Sequence, residues 1–174
     1  MNESAEMCRW KGLPMRSEQE VNYAIECYSD MVLRLCMVSL KNPQDAEDVF
    51  QTVFLKYTLS NQIFETADHE KAWLIRVTVN CCRDLLKSFF RKHTVSLEEL
   101  SEYTAPVASE QSDVLEAVRS LPRKYREVVY LHYYEGYTAP EIAGILHVNP
   151  NTVYTHLSRA RERLKEMLGG AADE

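Results

Sequence analysis

The stretch TAPEIAGILHVNPNTVYTHLSRARERLKEML, residues 138–168, decides the fold of the C-terminal part of this chain. Thr138 and Glu141 have the spacing of a capping box, which predicts that a helix begins at this point. Asn149 is a favourable N-cap and Pro150 is tolerated at the first helical position, so a second helix begins only a few residues after the first. Two short helices joined by a tight turn are typical of a helix-turn-helix, whose second helix lies in the DNA major groove.

The second helix divides into two faces when its residues are placed 100° apart. Its apolar face, which we expect in the core, consists of Val153, Leu157, Ala160 and Leu164. Its opposite face carries Thr152, Thr155, Ser158, Arg159 and Glu162. Hydroxyls and arginine suit base edges and phosphates, so the pattern favours DNA binding over the alternative, an ordinary solvated helix of a bundle. His147 stands where the turn of this motif usually has a glycine.

The composition favours a folded, mostly helical protein, and we predict an all-α fold. The chain has 174 residues, 45% of them hydrophobic, with only 5 glycines and 6 prolines. It contains no apolar run of membrane-spanning length and no signal-peptide pattern, so we expect no insertion into a membrane. The polar residues 1–16 are expected to form an N-terminal tail.

The cysteines give no sign of a structural cross-link. Their positions are Cys8, Cys27, Cys36, Cys81 and Cys82. An odd number without CxxC spacing predicts neither disulfides nor a Cys-rich zinc site, and it is typical of a protein of the reducing cytoplasm. Small buried apolar residues are the expected role, although a redox role stays open for Cys8 on the tail. We expect no metal and no cofactor.

The net charge of −6 is unevenly distributed along the chain. Residues 1–68 have a net charge of −5 and residues 119–174 a net charge of +1. Residues 69–93 carry 6 basic and 2 acidic side chains, whereas residues 94–118 carry 6 acidic side chains and no basic ones. Local basic patches in an acidic chain predict weak nonspecific DNA affinity, because overall repulsion opposes phosphate binding.

Helical periodicity predicts three helices in the N-terminal half. They are expected at residues 17–40, roughly 44–59, and about 68–92, with Asp68 as the cap of the third. Residues 60–68 between the second and the third are expected to form a loop.

Residues 93–112 change the character of the chain, because they are acidic, rich in serine and threonine, and lack a long apolar period. They are predicted to be a flexible linker with one helical turn at 97–100. A surface loop within one domain is the alternative, but ~20 residues without structure are uncommon inside a compact domain. Two helices at about 113–121 and 123–134 follow, divided by Pro122. The predicted organisation is a tail at 1–16, a helical domain at 17–92, a linker at 93–112 and a helix-turn-helix domain at 113–170.

The third predicted helix has a basic stripe opposite its apolar face. The stripe consists of Trp73, Arg76, Asn80, Arg83, Lys87 and Arg91. Asparagine reads base edges and cations follow a phosphate backbone, so the stripe predicts contact with a nucleic-acid strand. A solvated face is the alternative, and Trp73 either stacks on an unpaired base or plugs the core. A linker of ~20 residues reaches about 65 Å, or roughly 19 base pairs, which permits contact with two separated DNA elements.

From about Tyr23 to Leu168 the sequence resembles bacterial sigma-70-family factors, specifically the short extracytoplasmic-function group. DAEDVFQTVFLKY at 45–57 is similar to the helix of this family that binds the clamp helices of the largest RNA polymerase subunit. AWLIRVTVNCCRDLLK at 72–87 resembles the segment that melts and reads the −10 element. The stretch from LPRKYREVVYLHYYEG at 121–136 through the helix-turn-helix resembles the module that reads the −35 element.

This resemblance implies a sigma factor that binds core RNA polymerase and directs promoter-specific transcription initiation. The implied polymerase contacts are Asp45, Asp48, Gln51, Phe54 and Leu55. The implied contacts to the −10 element are Arg76, Asn80, Arg83, Lys87 and Arg91. The implied contacts to the −35 element are Thr152, Tyr154, Thr155, Ser158 and Arg159.

The resemblance further implies that the loop at 64–69 receives a flipped base, since reading a base in an opened strand requires unstacking it. An anti-sigma protein is an implied partner, and no small-molecule substrate is implied. Thr52 departs from the family pattern because a glutamate is typical there. Tyr154 and His156 stand where other members can carry cations.

Two other functional classes are alternatives to the sigma factor. An autonomous transcription regulator predicts tight operator binding by the protein alone, usually at a two-fold symmetric site. A helical enzyme is disfavoured because the five histidines lack ligand spacing such as HExxH and because Cys81 and Cys82 lie on an apolar arc, where thiolates are disfavoured. We therefore expect no enzymatic activity.

Overall fold

The computed structural model describes residues 16–92 and 113–169, and the regular secondary structure within these residues is entirely helical, which confirms the all-α prediction. The helices are α1 (Glu18–Leu40), α2 (Pro43–Thr58), α3 (Ala67–Lys92), α4 (Asp113–Ser120), α5 (Arg123–Val129), α6 (Ala139–Leu146) and α7 (Pro150–Gly169). Residues 1–15 of the predicted tail, the predicted linker at 93–112 and its helical turn at 97–100 lie outside the described residues. None of the described helices is both long enough and apolar enough to cross a bilayer.

Local capping explains where α1 and α2 begin. The Ser17 hydroxyl accepts a hydrogen bond from the Glu20 amide at 3.3 Å, and the Glu20 carboxylate accepts one from the Ser17 amide at 2.9 Å. Asn42 caps α2 through a 2.9 Å hydrogen bond from the Gln44 amide, with Pro43 at the first helical position. The predicted starts of both helices are therefore correct to within one residue.

The predicted cap of α3 is wrong by two residues. The Thr66 hydroxyl accepts a hydrogen bond from the His69 amide at 3.1 Å, and the Thr66 carbonyl accepts one from Glu70 at 3.1 Å. Thr66 therefore supplies the cap that the sequence predicts at Asp68. A threonine hydroxyl satisfies the first free amides of a helix in the same way as an aspartate does, so both residues were acceptable candidates.

The predicted helix at 123–134 also needs correction. The α-helical part ends at Val129, and Tyr130–Tyr134 form one π-helical turn in which the Glu135 amide donates to the Tyr130 carbonyl at 3.1 Å. Gly136 then turns the chain with a φ of +80°, a conformation that favours glycine. At the end of this turn Tyr134 is exposed on the surface, whereas only 9% of the Glu135 side chain is exposed.

The helix-turn-helix forms as predicted. The hydroxyl of Thr138 and the carboxylate of Glu141 complete a capping box at the start of α6. Asn149 caps α7 by accepting a 2.8 Å hydrogen bond from the Asn151 amide. Between the two helices, His147 adopts the left-handed conformation with φ 53° and ψ 48°, the geometry that the usual glycine of this turn adopts without strain.

A continuous apolar core joins the N-terminal helices α1–α3 to the C-terminal helices. Helix α5 packs against α1, and α6 packs against α3, while α7 packs against α4, α5 and α6. The largest fully buried side chains are Leu35, Tyr57, Leu74, Ile75, Leu121, Leu131, Ile142 and Leu157. The core therefore extends across the division that the sequence predicts between two domains.

Candidate nucleic-acid interface

The face of α7 that is predicted to contact DNA is exposed to solvent. All five residues implied for the −35 element are exposed, namely Thr152, Tyr154, Thr155, Ser158 and Arg159. Val153, Leu157 and Ala160 on the opposite face are buried against the core. The helix thus presents hydroxyls and a cation outward from a fixed apolar base, the arrangement that insertion into a major groove requires.

A basic cluster around Tyr125 extends this surface, and the sequence did not reveal it. A hydrogen bond with Arg159 lowers the pKa of Tyr125, and the charge of Lys124 contributes in the same direction. The Arg163 guanidinium lies 5.7 Å and the Lys124 ammonium 5.3 Å from the centre of the Tyr125 ring. The cluster joins the start of α5 to α7, a proximity that helical periodicity within either segment does not predict.

His156 belongs to the same cluster but is not a cation there. Its ring lies 5.3 Å from that of Tyr125, and it is partly buried. Burial lowers the pKa of His156, and the nearby charges of Lys124 and Arg159 lower it further. The neutral imidazole is therefore favoured at pH 7, which leaves the positive charge of this surface to the lysine and the arginines.

The basic stripe of α3 contains exposed side chains and one arginine that is hydrogen-bonded to another helix. Asn80 and Lys87 are exposed, and the Arg83 guanidinium donates a 2.8 Å hydrogen bond to the Asn80 side chain. Arg76, in contrast, donates its Nε hydrogen to the backbone carbonyl of Ile145 at 2.8 Å. The side chain of Arg91 lies outside the described part of the structure. Within that part, three residues of the stripe share one accessible surface.

An aromatic cleft lies beside the N-terminal end of α3. The Phe64 ring stacks parallel to that of Tyr57 at 6.2 Å, and the Trp73 ring meets Phe64 edge-on at 5.6 Å. The Arg16 guanidinium lies 4.4 Å from the centre of the Tyr57 ring. Together with the loop after α2, Arg16, Tyr57 and Phe64 border a cleft of about 550 Å³. Trp73 is half-buried in this aromatic group, so the packing role considered for it is the one observed.

A buried hydrogen-bond network supports the floor of this cleft. The hydroxyls of Tyr28 and Tyr57 both donate to the Glu70 carboxylate, the former at 3.2 Å. Burial raises the pKa of Tyr28 to about 12, and it raises that of Tyr57 further, so both hydroxyls keep their protons at neutral pH. Arg16 and Glu70 were not among the predicted site residues, because their partners lie on other elements of the fold.

The outward face of α2 carries three of the five implied polymerase contacts. Asp48, Gln51 and Leu55 are exposed, and Leu55 leaves 54% of its surface open although it is apolar. Asp45 is half-buried at the start of the helix, where burial and the charge of Asp48 raise the pKa of its carboxyl. An exposed leucine between polar residues is suited to contact with a protein surface.

Phe54 is a correction to the predicted contact set. Its side chain is only 6% exposed and packs against Phe50, with 5.0 Å between the ring centres. It follows Val53 on the inward side of α2, so its ring serves the core and does not present a surface to a partner. The resemblance implies that Phe54 contacts polymerase, but in this structure its ring is buried against Phe50.

Comparison with known proteins identifies both halves of the chain. The family description "Sigma-70 region 2" matches residues 24–92, and "Sigma-70, region 4" matches residues 111–164. The chain is 27% identical over 161 residues to the ECF RNA polymerase sigma factor SigW of Bacillus subtilis, covering 83% of this chain and 86% of SigW. It is 30% identical over 139 residues to the ECF RNA polymerase sigma factor SigM of Mycobacterium tuberculosis, covering 78% of this chain and 70% of SigM.

Two solved structures share the fold. The sigma factor RpoE of Bartonella quintana, solved in complex with the anti-sigma factor NepR, superimposes with a TM-score of 0.65 over 90% of this chain and 99% of that chain at 22% identity. CnrH, solved in complex with the cytosolic domain of CnrY, gives a TM-score of 0.61 over 91% of this chain and 92% of that chain at 22% identity. With both regions matched in order, the chain belongs to the sigma-70 family as a sigma factor of the extracytoplasmic-function group, which binds RNA polymerase and directs promoter-specific transcription initiation.

Proposed function

We propose that this sigma factor uses three separate surfaces in initiation, one for core polymerase and two for promoter DNA. The outward face of α2 binds core polymerase through Asp48, Gln51 and Leu55, with Asp45 at its edge. The stripe of α3 holds the opened −10 strand, and the outward face of α7 reads the −35 duplex. The observation that carries the proposal is the full exposure of the α7 face above a buried apolar base.

For the −10 element, the proposed contacts are Asn80, Arg83 and Lys87 from the exposed stripe, joined by Arg76 and Arg91. We propose that the aromatic cleft beside Phe64 receives one flipped base of that strand. The partly exposed Phe64 ring offers a surface for a base, and Arg16 over this ring adds a positive charge that favours a phosphate nearby. Energy for strand opening then comes from binding unpaired bases and from polymerase contacts.

For the chain as a whole, we propose the organisation of a tail at 1–16, a region 2 domain at 17–92, a linker at 93–112 and a region 4 domain at 113–170. We place the protein in the cytoplasm, where polymerase and promoters are. We propose that the chain has no catalytic activity of its own, so that bond formation belongs to the polymerase.

An anti-sigma protein is a further proposed partner. Its basis is that RpoE of Bartonella quintana, which shares this fold, was solved in complex with the anti-sigma factor NepR. Exposed Leu55 and its polar neighbours on α2 are the proposed contact surface, because a protein that covers them blocks polymerase. A partner co-purified from the source cells should be lost on Asp48→Arg and kept on the adjacent exposed Glu47→Arg.

Reconstituted transcription tests the main proposal. Purified protein and core bacterial polymerase are incubated with a random promoter library, and the transcripts are sequenced. We expect start sites that share an asymmetric two-part upstream motif. Asp48→Arg should abolish transcription and Arg159→Ala should relax the −35 part of the motif. The matched controls, Glu47→Arg on α2 and Arg161→Ala on α7, should leave both unchanged.

Failure of this experiment separates the sigma factor from the autonomous regulator. Tight binding of the isolated protein to a symmetric site, without binding to polymerase, would establish a regulator. Equal loss of activity in Asp48→Arg and Glu47→Arg would contradict the assignment of the α2 face, even if the motif has two parts.

A further inference from the structure

The side chain of Arg159, on the DNA-facing surface of α7, is held by a tyrosine of another helix. Its guanidinium donates a hydrogen bond to the phenol oxygen of Tyr125 on α5, and this bond is the largest cause of the lowered pKa of Tyr125. Arg159 is exposed, whereas Tyr125 is only 5% exposed. The contact therefore ties a long surface side chain to a group that belongs to the core.

The ring of Tyr125 is fixed by its packing. It belongs to a small apolar cluster with Leu121, Val129 and Ala160, which joins α5 to the middle of α7. The His156 ring also lies 5.3 Å from it, with 57° between the two ring planes. A tyrosine has only two side-chain torsions, and this one packs against both helices, so its hydroxyl has a defined position beside α7.

The hydroxyl of Tyr125 lies among cations. The Lys124 ammonium is 5.3 Å and the Arg163 guanidinium 5.7 Å from the centre of its ring. Within residues 16–92 and 113–169, neither of these two cations nor Arg159 forms an ion pair with a carboxylate. Like charges without an internal counter-charge favour an anion from outside, and a DNA backbone supplies one.

The place of Arg159 along α7 explains why it needs to be oriented. Thr152, Thr155 and Arg159 are spaced by three and four residues, so they share one face of the helix. Arg159 lies about 10 Å farther along the axis than Thr152, at ~1.5 Å per residue. Residues near the start of a recognition helix meet the base edges most directly. A long side chain from a later turn loses much rotamer freedom on reaching a base, and orienting it beforehand reduces that cost.

The hydrogen bond to Tyr125 leaves the guanidinium of Arg159 able to read a base. An arginine has five N–H donors in one plane, and the phenol oxygen occupies one of them. The remaining donors suffice for two parallel hydrogen bonds to O6 and N7 of a guanine in the major groove. The pair therefore suits bidentate recognition of guanine by an arginine whose orientation is set in advance.

We propose that Tyr125 is a positioning residue for the −35 element, which orients Arg159 toward a guanine edge and so sets the base preference at one −35 position. The proposal rests on the function proposed above, in which α7 reads the −35 duplex. Tyr125 itself does not contact the base, because its ring is buried. It acts through the arginine, and its partner lies on another helix, which the periodicity of α7 does not reveal.

The Tyr125→Phe variant tests the proposal, because it deletes the hydroxyl and keeps the buried ring. The full chain and core polymerase transcribe the random promoter library, and base preference is measured at each −35 position. Arg159→Ala should lower the preference for guanine at its position on the order of tenfold. Tyr125→Phe should lower it about fivefold at the same position and at no other. The double variant should lose no more than Arg159→Ala alone, since the hydroxyl acts only through the arginine.

Tyr130→Phe is the matched control. Tyr130 is 8% exposed, and its hydroxyl donates a 2.7 Å hydrogen bond to Glu135, away from the face of α7 that is predicted to contact DNA. This variant should lower Tm but change no −35 preference. Nitrogen-15 NMR of the free full chain gives a second readout. Rotation of the Arg159 guanidinium about its Nε–Cζ bond should be slower in the wild type and in Tyr130→Phe than in Tyr125→Phe.

Three results would overturn the positioning role of Tyr125. They are an unchanged guanine preference in Tyr125→Phe, an equal loss at every −35 position, and a double variant whose losses add. If instead the proposed function is wrong, the wild-type chain gives transcripts without a shared upstream motif, or Arg159→Ala leaves the motif unchanged. The role in reading then fails too, while the NMR measurement still reports whether Tyr125 holds Arg159, so the two failures are distinguishable.

Discussion

Removing one hydroxyl from the floor of the aromatic cleft should measurably destabilise the protein. Tyr57 is buried to 2% exposure and donates a hydrogen bond to the Glu70 carboxylate, while its ring stacks on Phe64. The Tyr57→Phe variant keeps the ring and its packing and deletes only the hydroxyl. Any loss of stability then reports the hydrogen bond and not a cavity.

The structure limits how much unfolding free energy the Tyr57→Phe variant should lose. A hydrogen bond to a charged group contributes about 1.5–3 kcal/mol to stability. Glu70 is only half-buried and keeps the 3.2 Å hydrogen bond from Tyr28, so the lower end of that range applies. We therefore expect the unfolding free energy to fall by about 1.5 kcal/mol, which lowers Tm by about 3–6 °C for a chain of this size.

Urea unfolding of the full chain at pH 8 measures the effect, with Tyr28→Phe as the matched control. Its hydrogen bonds are longer, 3.2 Å to Glu70 and 3.3 Å to the Ala67 carbonyl, so this control should lose less than Tyr57→Phe. The double variant should lose more than the sum, because Glu70 then lacks both hydroxyls. A Tyr57→Phe variant within about 0.3 kcal/mol of the wild type would refute the reasoning.

The same variant has a pH dependence whose sign is fixed. Burial, followed by the Glu70 hydrogen bond, raises the pKa of Tyr57 above its ordinary value of 10.0. A raised pKa in the folded state means that the stabilising proton is fully bound below pH 10 and is lost as the pH rises through the folded-state value. The stability difference between wild type and Tyr57→Phe should therefore be constant up to about pH 10 and shrink above it.

Three further predictions concern the C-terminal turn, the thiols and the basic cluster. His147→Gly should raise the unfolding free energy by about 0.5 kcal/mol in urea titrations, because relief of the left-handed backbone outweighs the flexibility of glycine when unfolded. Mass spectrometry of alkylated peptides at pH 8 should show exposed Cys27 reacting before Cys82, which reacts only on unfolding, since a hydrogen bond with Cys36 and burial raise the pKa of Cys82. Arg159→Ala should raise the pKa of Tyr125 in a carbon-13 NMR titration, because the lost hydrogen bond favoured its ionised form. Equal reaction rates of the two thiols, or an unchanged tyrosine pKa, would contradict these assignments.

Much of the fold was predictable because local signals decide it. The capping boxes at Ser17 and Thr138 and the Asn-Pro pairs before α2 and α7 fix helix starts within a few residues of sequence. The apolar periodicity of α7 correctly separates its buried from its exposed residues. These features need no information about distant parts of the chain, so the sequence alone suffices for them.

The errors have tertiary causes. At the π-helical turn after Val129, Tyr130 donates a 2.7 Å hydrogen bond to Glu135, and Glu135 forms an ion pair with Lys71, which lies on another helix. Phe54 was assigned outward by resemblance, yet its ring fills space beside Phe50. Helical periodicity gives the angular position of a side chain, but it does not tell which neighbouring element covers it.

Arg126 shows why the contact between the two halves was beyond prediction from pattern. In the sequence it is one of several cations in a short helix, and nothing local separates it from exposed Lys124. In the structure its guanidinium donates to four carbonyls, those of Val38, Ser39, Arg119 and Leu121. Burial lowers the pKa of Arg126 to about 10, so it remains charged at neutral pH. A planar fork of donors can satisfy several carbonyls from one buried position, which a single ammonium group cannot do with the same geometry. The identity of this residue as arginine therefore has a physical reason only when both halves of the chain are considered together.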